Sequence, residues 1–256
     1  MKAILSNIKD NIGILTLNRP EKNNTFNTDL AKELNQGLLA FENNPDVRVI
    51  VIKANGRNFS TGIDLNEFHG KSYSQYLKWV DLMEKMSITI FDMRKPVIAE
   101  VKGYAVANGI GLVASVDIAL ASERAKFGAT AVNVGLFCIG PAVPLARVIG
   151  RRKAYELVST GKIIGAAEAK EIGLVNEVVK EDKLSEVVME MASEIANKSP
   201  LAVQIGKEAF NATLDLPYKK ALEMSHPYFA HLCSTEDAKE GVDAFLNKRD
   251  PKWSSK

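Results

Sequence analysis

A glycine-rich stretch that leads into a helix is the part of this sequence best suited to chemistry. The motif GYAVANGIG (103–111) follows an apolar run typical of a buried strand and precedes one typical of a helix. Free N–H groups at a helix N-terminus, next to the positive end of the helix dipole, bind an anion or the oxygen of a polarised carbonyl. The spacing matches neither the dinucleotide fingerprint nor the P-loop. A purely structural turn explains the glycines equally well.

A second segment, NFSTGIDLNEF (58–68), follows a strand-like run at 47–54 through the turn Asn55-Gly56. Together, the two segments resemble the oxyanion segments of the crotonase (enoyl-CoA hydratase/isomerase) superfamily, "F-S-x-G-x-D-L" and "G-x-A-x-G-G-G". Residues 13–22, 160–175 and 240–249 resemble three further blocks of that family, in the same order. On these five blocks the chain is identified as a member of the superfamily.

The resemblance implies that the backbone N–H groups of Ile63 and Asn108 polarise a thioester carbonyl. Asn108 stands where the family usually has glycine, and Gly109 permits close approach of the backbone. A coenzyme A thioester is the expected substrate, with no separate cofactor and no metal. Asp64 is expected to cap a helical turn rather than to act as a base. The substrate-binding positions implied by the resemblance are Lys22, Asn23, Phe59, Ser60, Gly62, Asp64, Phe245 and Lys248.

Two departures from the family bear on the activity. Hydratases of the family carry one catalytic glutamate at the position of Gly111 and a second at the position of Ala131. Hydration needs a base to activate water and an acid to protonate the α-carbon, and neither glycine nor alanine can act as either. We therefore expect weak or absent hydration of crotonyl-CoA. Three possibilities stay open: an isomerase or decarboxylase that uses another group, a residual hydratase, and a non-catalytic acyl-CoA binding or assembly protein.

The segment that carries the second catalytic residue across the family supplies the remaining pocket candidates. These are Thr130, Ala131, Asn133 and Cys138. Asn133 could hydrogen-bond an enolate or simply satisfy a turn. Cys138 has apolar neighbours and is predicted to be an inert buried thiol. The motif NVGLFC (133–138) and the motif KRDPKW (248–253) are similar to a branch of the family, the enoyl-CoA hydratase domain-containing proteins.

Composition indicates an ordinary globular protein. The 256 residues are 46% apolar and 25% charged, with a net charge of +2, which fits one large domain or one domain with an appendage. The sequence has no basic stripe for nucleic acid and no apolar run of the ~18–20 residues that a membrane span needs. Its two cysteines suggest no disulfide framework. The N-terminus is unlike a signal peptide, so a cytoplasmic location is expected.

Strand-like and helical patterns alternate along the first part of the chain and predict an α/β core. Strands are expected at 12–17, 47–54, 96–101 and 118–121, and helices at 28–42, with Thr28 as N-cap, and at 74–93. The resemblance implies a crotonase-like spiral of ββα units with a helical C-terminal region. The predicted division is a core with the acyl-CoA site at 1–198 and a helical trimerisation region at 199–256.

The predicted C-terminal helices carry more apolar side chains than one stripe per helix can bury. The surplus must face either the core or another subunit. Closed symmetry is the common solution for such surfaces, and the family resemblance implies trimers that often pair as hexamers. A homotrimer or homohexamer is therefore expected, the alternative being a tail folded entirely onto its own core.

Overall fold

In the computed structural model, which describes residues 2–255, nine strands form two sheets and ten α-helices surround them. The strands are β1 (Ile4–Lys9), β2 (Ile12–Leu17), β3 (Val49–Ala54), β4 (Val97–Val101), β5 (Tyr104–Val106), β6 (Ile118–Ser122), β7 (Lys126–Gly128), β8 (Ile163–Gly165) and β9 (Glu177–Val179). The helices are α1 (Thr28–Glu42), α2 (Tyr73–Asp92), α3 (Asn108–Ser115), α4 (Ile139–Val148), α5 (Arg151–Thr160), α6 (Ala166–Glu171), α7 (Leu184–Ala196), α8 (Pro200–Thr213), α9 (Tyr218–Ser234) and α10 (Glu236–Leu246).

The larger sheet has the strand order β1-β2-β3-β4-β6-β9. Its first pair is antiparallel and the other pairs are parallel, so the predicted α/β class is confirmed. The smaller sheet has the order β5-β7-β8. The chain passes from one sheet to the other between β4 and β5, where Gly103 has φ +59° and a Cβ atom would overlap the Arg57 carbonyl. Glycine is therefore required at this corner.

Both faces of the larger sheet are buried along its central strands β2, β3 and β4, as is usual for parallel strands, whereas the edge strand β1 is mostly exposed. In β3, Ile50 and Ile52 pack into the main core on one face, whereas Val49 and Val51 pack on the other face with the apolar side of α7. Side chains of successive strand residues point to opposite faces, so a continuous apolar run fills both layers. The sheet is thus held rigidly between two helical layers.

Most predicted elements form close to their predicted bounds. The helix predicted at 28–42 is α1, but its N-cap is Asn27 rather than Thr28, because the Asn27 side chain accepts the Leu30 N–H at 3.0 Å. The strand predicted from residue 47 begins at Val49, since the Val47 N–H closes a turn onto Asn44 instead. The helix predicted at 74–93 is α2, displaced by one residue at each end.

The last three helices bury only four residues among those that the structure describes, namely Pro200, Ile205, Asp237 and Ala244. Pro200 begins α8, with Ser199 as its N-cap. The Asp237 carboxylate of α10 accepts hydrogen bonds from the Ser199 hydroxyl at 2.7 Å and from the Ser254 N–H at 2.7 Å, which ties the chain end to α8. None of the seventeen residues of α9 is buried. Over residues 2–255, no helix is long and apolar enough to cross a membrane.

Candidate functional site

Two backbone segments from distant parts of the sequence meet at the N-terminus of α3. Ser60 pairs with β5 like a short additional strand: its N–H donates to Tyr104 at 3.0 Å, and its carbonyl accepts from the Val106 N–H at 3.0 Å. This pairing brings Gly62 against Ala107 at the end of β5. The structure thus joins the two segments on which the sequence-based interpretation depends.

Glycines make this contact possible. A Cβ atom at Gly109 would overlap the carbonyl oxygen of Ser60, and a Cβ atom at Gly62 would lie 2.7 Å from the Cβ of Ala107. Gly62 also has φ +95°, a conformation that side chains disfavour. The close approach predicted for Gly109 is therefore present, and Gly62 has an equivalent role on the opposite segment.

Ala107 holds a strained conformation just before α3. Its backbone has φ +49° and ψ −116°, although it is not glycine. Such a conformation costs on the order of 1–3 kcal/mol and persists where the surroundings enforce it. Here the Ala107 N–H donates to Gly128 of β7 at 2.9 Å. The strained turn sets the direction in which the next N–H, that of Asn108, points.

The N–H groups of Ile63 and Asn108 are both without an acceptor among residues 2–255. Ile63 forms a parallel bridge with Phe26 in which the residues on either side of Ile63 make the hydrogen bonds: Phe26 N–H to Gly62 at 2.7 Å and Asp64 N–H to Phe26 at 2.9 Å. The Ile63 N–H therefore points away from Phe26. Two free donors on touching segments can bind one oxygen atom.

Gly111 and Ala131, where the resemblance implies the two glutamates of hydratases, have no side chain that could supply a proton. A Cβ atom at Gly111 would lie 3.0 Å from the Cβ of Pro141, so α3 and α4 pack closely at the first position. A longer side chain there would have to displace Pro141. Ala131, at the second position, is half-buried and packs against the main core.

A carboxyl group that the sequence analysis missed enters this region from α2. Glu84 accepts a hydrogen bond from the Asn108 side chain at 3.2 Å, and its carboxylate covers the Cα of Gly140, where a Cβ would lie 2.7 Å from Oε2. Burial raises the pKa of Glu84 despite the hydrogen bond from Asn108. The sequence contains one signal: Glu84 is an acidic residue between Met83 and Met86, both of which are fully buried. The sequence pattern predicts a helix here but assigns it no part in the site.

Cys138 lies next to this carboxyl and is 4% exposed. Burial raises the pKa of its thiol, and the nearby charge of Glu84 raises it further, while a hydrogen bond donated by the Ala131 backbone opposes the shift. A neutral, buried thiol is a poor nucleophile, in agreement with the inert role predicted. Asn133 is exposed, and its side chain lies against Gly161 at the end of α5. Thr130 is half-buried beside β7.

Asp64 has a structural role. Its carboxylate caps a short 3₁₀ turn by accepting the Asn66 N–H at 3.2 Å, and it forms an ion pair with Arg19 at 2.9 Å. Burial alone would raise its pKa, but the hydrogen bonds from Arg19 and Asn66 outweigh burial and hold the pKa below its usual value. A carboxylate stabilised in this way is a weak base, so the cap predicted from the sequence is the better description.

The predicted substrate-binding residues fall into three groups. Asn23 accepts the Thr61 N–H at 3.2 Å, which places it and the exposed Lys22 beside the Ile63 segment. Phe59 and Ser60 require a correction: both side chains are fully buried, so they position the segment rather than contact a ligand. The last two are exposed: Phe245 lies in the final turn of α10, and Lys248 lies two residues beyond its end.

No group of three or more His, Cys, Asp or Glu side chains between residues 2 and 255 is arranged to hold a metal ion. The site brings together two backbone donors, Ile63 and Asn108, and the nearby carboxyl of Glu84. These groups can stabilise negative charge on an oxygen and transfer a proton close to it.

The chain is similar to known proteins over almost its whole length. The family model for enoyl-CoA hydratase/isomerase matches residues 7–256. The "Probable enoyl-CoA hydratase, mitochondrial" of Dictyostelium discoideum is 36% identical over 256 residues, covering 97% of this chain and 89% of that protein. The human "Enoyl-CoA hydratase domain-containing protein 3, mitochondrial" is 38% identical over 248 residues, covering 96% and 81%.

A solved structure confirms the fold. An enoyl-CoA hydratase of Mycobacterium smegmatis superposes with a TM-score of 0.95 at 35% identity, over 98% of both chains. The crotonase-like fold and the helical C-terminal region predicted from the sequence are therefore correct. The chain belongs to the enoyl-CoA hydratase/isomerase family.

Proposed function

We propose that this protein is an acyl-CoA enzyme that holds a thioester oxygen between the N–H groups of Ile63 and Asn108 and stabilises an enolate-like anion. The observation that carries the proposal is the pair of free N–H groups on segments locked together at Gly62 and Gly109. Donors fixed in advance lose little free energy to reorganisation as charge develops on the oxygen. The mechanism needs no glutamate at position 111 or 131.

Family membership supports coenzyme A thioesters as the substrate class. Lys22 and Asn23, next to the Ile63 segment, would contact the coenzyme A portion. The exposed Phe245 and Lys248 would reach the nucleotide within their own subunit or across an interface. The only small-molecule partner required is thus the acyl-CoA itself. The cytoplasmic location stays a prediction.

A non-catalytic acyl-CoA binder is the second candidate, because Gly111 and Ala131 remove both carboxylates that hydration uses in relatives. Isothermal calorimetry with short and medium acyl-CoAs tests what both candidates share. Micromolar binding is expected. A folded protein that binds none of these thioesters would end the proposal in either form.

The C-terminal helices support assembly into a trimer or hexamer. α9 buries no residue within its own subunit, and it exposes several large apolar side chains, as surfaces that contact another protein often do. Closed trimers would cover it. The large apolar side chains exposed on α8, α9 and α10 are Phe210, Tyr218, Leu222, Met224, Phe229, Val242, Phe245 and Leu246.

A further inference from the structure

We infer that Glu84 is the catalytic acid–base residue of this protein, which exchanges a proton with the α-carbon of the bound thioester. The inference rests on the proposed function, since it requires a thioester oxygen at Ile63 and Asn108. It adds a residue from α2, a helix on which neither family glutamate position lies.

Contacts place the Glu84 carboxyl at the site. Its Oε1 is hydrogen-bonded to the side chain of Asn108, the residue whose backbone N–H is one of the two free donors. Asn108 therefore fixes the oxygen-binding group and the carboxyl relative to each other. On the far side, Gly140 leaves room for the carboxylate, because any side chain there would overlap it.

The surroundings of Glu84 are unusual for a structural carboxylate. It is largely buried, and within residues 2–255 no Lys, Arg or His forms an ion pair with it. The titratable group that shares its environment is Cys138, a neutral thiol. An unpaired buried carboxyl costs stability, and a glutamine could accept the same hydrogen bond from Asn108. Such perturbed groups are characteristic of catalytic sites.

The proposed step is a balanced proton transfer. The Glu84 carboxylate removes a proton from the α-carbon, and the C–H electron pair moves into the thioester carbonyl. The resulting enolate oxygen accepts hydrogen bonds from Ile63 and Asn108. The reverse step returns the proton from the neutral carboxyl to carbon, without any redox partner. Burial raises the pKa of Glu84 above its usual value, which makes the protonated carboxyl easier to form and so helps the return of the proton to carbon.

One carboxyl that both removes and returns a proton suits a particular class of reactions. It can move a double bond within an enoyl thioester, or protonate the enolate left by loss of carbon dioxide. Hydration by a pair of carboxylates is not required. The substrate class is therefore an acyl-CoA that reacts through its α-carbon.

The test is hydrogen exchange into butyryl-CoA in D₂O, followed by mass spectrometry, with binding measured in parallel by calorimetry. Glu84→Gln keeps an acceptor for Asn108 but cannot take a proton. We expect it to lose about 10²–10⁴-fold in exchange rate, with little change in affinity. Asp81→Asn, which neutralises an exposed acid on the same helix, is the control and should exchange like the wild type.

The outcomes separate the two proposals. Wild-type protein that binds butyryl-CoA but catalyses no exchange, or Glu84→Gln that exchanges normally, overturns the role of Glu84 and leaves the proposed function standing. A Glu84→Ala variant that loses exchange while Glu84→Gln keeps it would make Glu84 a positioning residue for Asn108 instead. Absence of binding by the folded wild type overturns both proposals.

Discussion

Replacing Gly109 by alanine tests whether the two touching segments control activity. The new Cβ would overlap the Ser60 carbonyl oxygen and lie 3.1 Å from the Ser60 carbonyl carbon. These are backbone atoms, held by hydrogen bonds of 3.0 Å to Tyr104 and Val106. No side-chain rotation can relieve the overlap, so the segments must move apart.

The expected effects on stability and activity differ in size. Overpacking costs about 1–3 kcal/mol, while alanine is favoured over glycine within a helix by up to about 1 kcal/mol. The net loss in the free energy of unfolding is then about 0–2 kcal/mol, and the protein stays folded. Displacing one of the two N–H donors costs roughly 10²–10³ in rate, or about 2.7–4 kcal/mol. In free-energy terms, the loss of catalytic rate should therefore be larger than the loss in the free energy of unfolding.

Urea unfolding and α-proton exchange into butyryl-CoA measure the two effects. Gly206→Ala on α8 is the matched control, because within residues 2–255 no atom outside the backbone of its own helix and its chain neighbours lies within 4 Å of the new Cβ. It should be more stable by about 0.5–1 kcal/mol with unchanged exchange. A folded Gly109→Ala protein that exchanges within threefold of the wild type would show that the spacing of the two segments does not govern the reaction.

Four further outcomes are expected. Asp64→Asn should lower the free energy of unfolding by about 2–4 kcal/mol at pH 7, because it leaves the Arg19 guanidinium unpaired; a urea midpoint equal to that of the wild type would contradict this. Glu84→Gln should raise the melting temperature at pH 8 but not at pH 4. Because burial raises the pKa of Glu84, the wild type gains a buried negative charge, and loses stability, only as the pH rises. An equal gain in melting temperature at both pH values would contradict a raised pKa. Crotonyl-CoA hydration should be slow because of Gly111 and Ala131, whereas turnover on the order of 10³ s⁻¹ would refute the reasoning. Light scattering after size exclusion should give a trimer or hexamer, and a mass near 28.0 kDa at micromolar concentration would rule out the assembly.

Local patterns predicted much of the fold. The boundaries of α1 follow from the helical spacing of Leu30, Leu34 and Leu38, all of which are buried. Sequence could not choose between adjacent caps, since Asn27 and Thr28 are both favourable cap residues and differ only in how the chain enters the helix. Such errors are small because they depend on geometry at a single residue.

The candidate site was predictable only where it consists of backbone. Gly62 and Gly109 mark close approaches that only glycine permits, and sequence shows glycine directly. Glu84 was missed because its importance comes from contacts with Asn108 and Gly140, which are 24 and 56 positions away in the chain. Phe59 and Ser60 were misassigned for a related reason. A motif shows which segment matters but not which of its side chains point inward.

The strain at Ala107 has a consequence for how ligands bind. The fold already meets the cost of about 1–3 kcal/mol in the ligand-free state. A substrate arriving at Asn108 therefore does not have to order the turn, and its binding free energy is not reduced by induced fit there. Free and liganded forms should have the same backbone at residues 106–109. If the proposed function holds, selectivity among acyl-CoAs must come from the walls of the pocket, since a fixed turn binds the oxygen of every thioester in the same way.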